Sequence, residues 1–200
     1  MPVDPNAEGG LNIPSNDRSD SNTPTAVVVV AGSVITGSIG GDILTTTSDH
    51  PIIYGRGGAD RIWGNKGDDR LFGNRGADRI KGGSGDDLLK GGSDADKLNG
   101  GAGSDTLNGN KGNDVIKGGG GADTFIFNDG HDRVWVFSIW SDHLKLDDKS
   151  WHGQLSGAQV VNRYASVQDG DTVFDFGGND QLTLTGISNL DALAAVISIV

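Results

Sequence analysis

From Gly37 to Ile126 the chain repeats every nine residues, ten times, without insertion or deletion. The units read GSIGGDILT, TTSDHPIIY, GRGGADRIW, GNKGDDRLF, GNRGADRIK, GGSGDDLLK, GGSDADKLN, GGAGSDTLN, GNKGNDVIK and GGGGADTFI. A fixed period of this kind outranks every other local signal, because each unit must meet the same environment as the next. Position six is aspartate in nine of the ten: Asp42, Asp60, Asp69, Asp78, Asp87, Asp96, Asp105, Asp114 and Asp123. Only Pro51 breaks that column. Position eight is always large and apolar, from Leu44, Ile53 and Ile62 through to Ile116 and Phe125.

Glycine opens every unit except the one at Thr46, and it returns at position four except at Asp49 and Asp94. Position two is glycine or asparagine in seven units, and these residues reach positive φ at least cost. The first six positions therefore predict a tight turn. The last three, with an apolar centre between outward neighbours, predict a very short strand. Two units return the chain over itself, so a coil holds eighteen residues and successive coils stack about 4.8 Å apart in two facing parallel sheets. Odd-numbered units then stack Asp42, Asp60, Asp78, Asp96 and Asp114, while even-numbered units stack Asp69, Asp87, Asp105 and Asp123 above Pro51.

Bare, each column is a ladder of like charges in which carboxylates raise one another's pKa. A hard cation with oxygen ligands at about 2.3–2.6 Å bridges groups about 4.8 Å apart, with turn carbonyls completing its shell. Ca²⁺ suits this better than Mg²⁺, which demands a smaller octahedral shell and keeps its waters. One apolar side chain per nine residues makes a thin core, so the metal is expected to be part of the fold.

This run resembles the RTX family, whose nonapeptide GGxGxDxUx forms a calcium-filled roll. The resemblance implies an all-β, right-handed parallel β-roll, or β-solenoid, closed by a C-terminal β-rich cap. It also implies ligands from position six and from carbonyls of the turns, here Gly55, Gly57, Gly64, Gly73, Gly82, Gly91, Gly100 and Gly109. Asp42 with Asp60, Asp60 with Asp78, Asp78 with Asp96 and Asp96 with Asp114 would bind on one edge. Asp69 with Asp87, Asp87 with Asp105 and Asp105 with Asp123 would bind on the other, giving about seven Ca²⁺ ions. Asp94 stands where the pattern has glycine, and Pro51 leaves Asp69 without a carboxylate below it.

Around this run the expected organisation is a disordered leader or linker over residues 1–25, a capping strand over 26–36, the roll over 37–135 and a cap over 136–200. Asp132 and Val134 continue the frame as an eleventh, degenerate unit, with Asp132 a candidate partner of Asp114. Beyond it, Asp142-His-Leu144-Lys-Leu146 is echoed by Asp180-Gln-Leu182-Thr-Leu184, both read as cap strands. Trp135, Phe137, Trp140, Trp151, Phe174 and Phe176 offer bulk to cover open strand edges. Ser188-Asn-Leu-Asp191 reads as a capping box opening a short helix through Ala195. The tail VISIV either packs on the cap or resembles the uncleaved signal that RTX proteins present to type I secretion machinery.

Net charge is −11, but seven divalent ions would carry the chain to about +3, so the acidity counts ligands rather than a cationic partner. There is no cysteine, which excludes a disulfide scaffold. No apolar stretch reaches the length of a membrane span, and MPVDPNAEGG lacks the features of a cleaved Sec-type signal. Calcium dependence nonetheless implies a secreted, extracellular protein. Met1 and the tail favour a complete small protein over a piece of a larger secreted enzyme.

Catalytic motifs are absent: there is no HExxH, GxSxG or P-loop, and His50, His131, His143 and His152 are scattered. Asp142, Asp147, Asp148 and Asp171, outside the columns, form no catalytic arrangement. Arg61, Arg79 and Lys97 at position seven, beside Trp63 and Lys81 at position nine, form a basic ladder that suits an anionic extracellular polysaccharide, as in alginate-acting RTX enzymes. The alternative is charge balance for nearby acidic turns. The overall acidity argues against nucleic acid.

Overall fold

A computed structural model describes residues 10–12, 27–30, 34–147 and 155–200. The repeats fold into two facing sheets, with consecutive strands alternating between them. One sheet holds β1 (Gly10–Asn12), β3 (Val34–Thr36), β5 (Ile52–Gly57), β7 (Arg70–Arg75), β9 (Leu88–Ser93), β11 (Thr106–Lys111), β13 (Thr124–Phe127), β15 (His143–Leu146) and β19 (Ile197–Ile199). The other holds β2 (Val27–Val30), β4 (Ile43–Thr46), β6 (Arg61–Lys66), β8 (Arg79–Ser84), β10 (Lys97–Ala102), β12 (Val115–Gly120), β14 (His131–Trp135), β18 (Asp180–Leu184), β17 (Asp171–Gly177) and β16 (Ala165–Gln168). From β2 to β15 every pairing is parallel, and through the repeats the register is eighteen residues, as in Ile62↔Ile80 and Leu71↔Leu89. This is an all-β parallel solenoid.

The apolar eighth positions meet between the sheets. Leu44, Ile53, Ile62, Leu71, Leu89 and Leu107 are wholly buried, and Phe125, Val134 and Leu144 continue the line toward the cap. From β5 to β12 each strand runs six residues, three from the end of one unit and three from the start of the next. The turn therefore occupies positions four to six only, shorter than the sequence predicts. Pairing resumes after each position-one glycine, as in Asn65↔Gly83, because a left-handed residue at position two bends the strand without ending it. Arg56 takes this conformation too, at φ 79°, and Asp94 takes it at position four, at φ 77°. Asp94 thus keeps the turn that glycine makes elsewhere.

Within the stretch read as a leader, Gly10–Asn12 forms β1 and pairs with β3, while residues 1–9 and 13–25 lie outside the described residues. The stretch read as one capping strand forms two, β2 on one sheet and β3 on the other. At the far end β18 pairs parallel with β14, then β17 and β16 fold back antiparallel. Helix α1 (Gly157–Tyr164) is an addition to the elements expected from the sequence, although Ser156 and Gln159 form a full capping box at its start. Helix α2 (Leu190–Ala194) is capped by Asn189 rather than Ser188. Phe137 and Phe174 are buried, whereas Trp135 is 43 % and Trp140 is 89 % exposed, contrary to their expected covering role. Trp140 is carried outward at the tip of a tight turn closed by Asp142 N–H donating to the Ser138 carbonyl at 2.8 Å. Trp151 lies outside the described residues. The VISIV tail supplies β19, which pairs with β15.

Candidate metal centre

The column aspartates turn inward at the two edges where the sheets meet, and each is at most 2 % exposed. Their two carboxylate oxygens differ. Oδ1 accepts the backbone N–H of the column residue eighteen positions earlier: Asp42 donates to Asp60 at 2.7 Å, Asp60 to Asp78 at 2.8 Å and Asp78 to Asp96 at 2.8 Å. On the other edge Asp69 donates to Asp87 at 2.8 Å, Asp87 to Asp105 at 2.9 Å and Asp105 to Asp123 at 3.0 Å. Oδ2 of Asp60, Asp69, Asp78, Asp87, Asp96, Asp105, Asp114 and Asp123 is buried with no hydrogen-bond partner.

The position-one glycines explain where Oδ2 sits. Gly55, Gly64, Gly73, Gly82, Gly91, Gly100 and Gly109 are buried strand residues outside the left-handed region. A Cβ on any of them would overlap Oδ2 of the aspartate in its own unit. Glycine is required there for space, not for turn geometry. The carbonyl oxygen of the glycine eighteen residues on faces the same spot in several units, as Gly73 does for Gly55 and Gly91 does for Gly73. Gly57, at position three, is different: a Cβ there makes only ordinary contacts.

Orphaned carboxylate oxygens beside carbonyl oxygens form a hard, purely oxygen donor set. Burial drives Asp60 and Asp96 to a pKa of about 8, opposed by the N–H bonds to Oδ1 and raised further by neighbouring column charges. Burial likewise lifts Asp78 and Asp105 to about 7 and Asp87 and Asp114 to about 6. Without a cation, the columns hold protons near neutrality. Among the described residues no three Asp, Glu, His or Cys side chains converge on one point. A cation here must take part of its shell from the backbone.

Both columns extend further than the ten units. Asp114 N–H donates to Asp132 Oδ1 at 2.9 Å, which joins the aspartate of the eleventh unit to the column, although Phe127 replaces the position-one glycine there. Asp123 N–H donates to Asp142 Oδ1 at 3.1 Å across nineteen residues, an extension that the nine-residue frame does not reveal. The only signal for it is the Asp-x-Leu of residues 142–144, one residue out of frame. At two of the four column ends Oδ2 is taken by hydrogen bonds. Ser38 N–H and Oγ donate to Asp42 Oδ2 at 2.6 and 3.0 Å, and Ser138 N–H donates to Asp142 Oδ2 at 2.9 Å. Next to Asp132 the register places Leu182, so that column ends in an apolar residue.

The basic ladder is also assembled. Arg61, Arg79 and Lys97 align across β6, β8 and β10, as do Trp63, Lys81 and Asn99. Lys117 and Arg133 prolong it over β12 and β14, and Arg133 lies 5.9 Å over the Trp135 ring. Arg61, Trp63, Arg79, Lys81 and Lys97 line a shallow groove of about 330 Å³.

The family model for the RTX calcium-binding nonapeptide repeat matches four times, over residues 36–71, 47–80, 72–107 and 99–134. Residues 36–134 belong to the RTX repeat family. RTX nonapeptide repeats bind calcium, and the orphaned Oδ2 atoms fit that ion. No curated protein matches the chain. Among solved structures it is similar to the extracellular lipase LipA from Serratia marcescens, at 20% identity and a TM-score of 0.39. That alignment covers 86% of this chain and 40% of the lipase, so the chain spans well under half the length of that protein. No helix among the described residues is long and apolar enough to cross a membrane.

Proposed function

We propose that this chain is a secreted, non-catalytic calcium-binding module, unfolded at cytosolic calcium and folded in calcium-rich surroundings outside the cell. The observation that carries the reading is the set of eight buried Oδ2 atoms without partners. A buried anion without a counter-charge is costly, and a bridging cation offsets that cost level by level. About seven ions fit the aspartate pairs expected from the sequence, held by Oδ2 and turn carbonyls. With sites of extracellular-module affinity, calcium at tenfold the dissociation constant adds about 1.4 kcal/mol per site. The VISIV tail, strand or not, supports export through type I secretion machinery only by its resemblance. The test is far-UV circular dichroism through a calcium titration followed by a chelator. Sheet signal that grows with calcium and is lost with the chelator supports the reading. Signal indifferent to both refutes it.

A second reading is favoured by the basic ladder. Arg61, Arg79, Lys81, Lys97, Lys117 and Arg133 share one sheet face, bracketed by Trp63 and Trp135. Cations one strand apart beside a groove suit a linear carboxylated polysaccharide, with the indoles stacking on sugar rings. Replacing Arg61, Arg79 and Lys97 with Ala should abolish retention on immobilised alginate while calcium-dependent folding persists. Unchanged retention removes this reading and leaves the calcium one intact.

A further inference from the structure

The foot of the even-numbered column breaks the pattern in a way that changes its chemistry. Pro51 occupies the aspartate position there, and its backbone keeps the register, since Arg70 N–H donates to the Pro51 carbonyl at 3.0 Å. The turn above it is stacked like the others, with the Asp49 carbonyl packed against Gly67. Proline, however, has no N–H to give. Asp69 is therefore the one column aspartate whose two oxygens are both buried and both without a partner. At the start of the odd-numbered column, by contrast, Ser38 donates to Asp42 from its N–H and its hydroxyl.

Sequence supplies a replacement for the missing carboxylate. In the unit that carries Pro51, the aspartate stands two positions earlier, at Asp49. Asp68 lies beside it, its N–H donating to His50 Nδ1 at 2.9 Å, so the next turn is fastened to this one. The charges of Asp87, Asp68 and Asp49 act on Asp69 in addition to its burial.

We propose an eighth divalent-cation site at this foot, in which Asp69 Oδ1, the oxygen left free by Pro51, ligates Ca²⁺ and Asp49 provides the counter-charge that Pro51 cannot. The column aspartates from Asp87 upward accept an N–H on Oδ1 and present Oδ2 alone, whereas Asp69 presents Oδ2 to the ion it shares with Asp87 and a second, free oxygen to the level below. The site differs from those above it in donor geometry and in its exposed second carboxylate. It rests on the calcium reading of the columns.

The test is calcium bound per chain, measured by atomic emission on the full-length protein equilibrated at fixed free calcium, with circular dichroism on the same samples. Asp49→Asn should lose one equivalent at unchanged sheet content. Pro51→Ala should also lose one, because the restored N–H occupies Asp69 Oδ1. Ser48→Ala should keep the wild-type number. Full wild-type stoichiometry in both Asp49→Asn and Pro51→Ala overturns the proposal. A wild type that binds no calcium overturns this site together with the reading beneath it, and the two failures are told apart by that control. Should one variant lose sheet signal, the stoichiometry of the other decides.

Discussion

Asp60, Asp78, Asp87, Asp96, Asp105, Asp114 and Asp123 each serve two neighbours at once, with Oδ1 tied to the coil before and Oδ2 pressed against the glycine that opens their own unit. Adding a methyl at that glycine strikes Oδ2 directly. Gly82→Ala, whose methyl would overlap Asp87 Oδ2, should lower both calcium affinity and the melting temperature. Gly120→Ala meets nothing within 4 Å and should change stability by no more than about 0.5 kcal/mol. Comparing the two by thermal melts in calcium separates site geometry from glycine content. The carboxylates also set a pH dependence. Asp60, Asp78 and Asp96 shift from the ordinary 3.8 to about 8, 7 and 8 in the folded, metal-free chain. That state holds more protons than the unfolded chain between those limits, so its stability falls as pH rises from about 4 through 8. In chelator, sheet signal should therefore grow on acidification. In limiting calcium the trend reverses, because protons compete for the same oxygens.

From β5 to β10 each strand is set by a single large inward side chain, and the core there is one residue wide. Leu89→Ala, at a wholly buried position between Leu71 and Leu107, should cost about 2–5 kcal/mol by denaturation in saturating calcium. At the far end, Ser138→Ala leaves its N–H on Asp142 and so should cost under about 1 kcal/mol, whereas Asp142→Ala strips the Asp123 N–H of its acceptor and should cost about 1–3 kcal/mol. The strands and their stacking were legible because a period of nine forces equal environments, and position eight names the core without ambiguity. What escaped was set by neighbours in space rather than in sequence. The extra strand length depends on Asn65 and Gly83 pairing across coils. Asp142 is hidden by one inserted residue. Trp135 and Trp140 carry the bulk of core residues but sit where register and a tight turn point them outward.

At the scale of the whole molecule, the ions decide the sign of the surface. A chain of formal charge −11 should run toward the anode in chelator at pH 7. In saturating calcium, seven or more ions should reverse or nearly cancel that mobility, a change that a native gel reads directly. The basic face on β6 to β14 would then stand unopposed, which couples any polyanion binding to calcium without contact between the two sites. The columns, meanwhile, are continuous chains of amide-to-carboxylate links from Asp42 to Asp132 and from Asp69 to Asp142. An ion that fixes one carboxylate also steadies the acceptor on which the adjacent level hangs. Occupancy at one storey thus favours occupancy at the next, and titration should climb more steeply than independent binding allows. The molecule would respond to calcium as a threshold, silent below it and fully assembled just above.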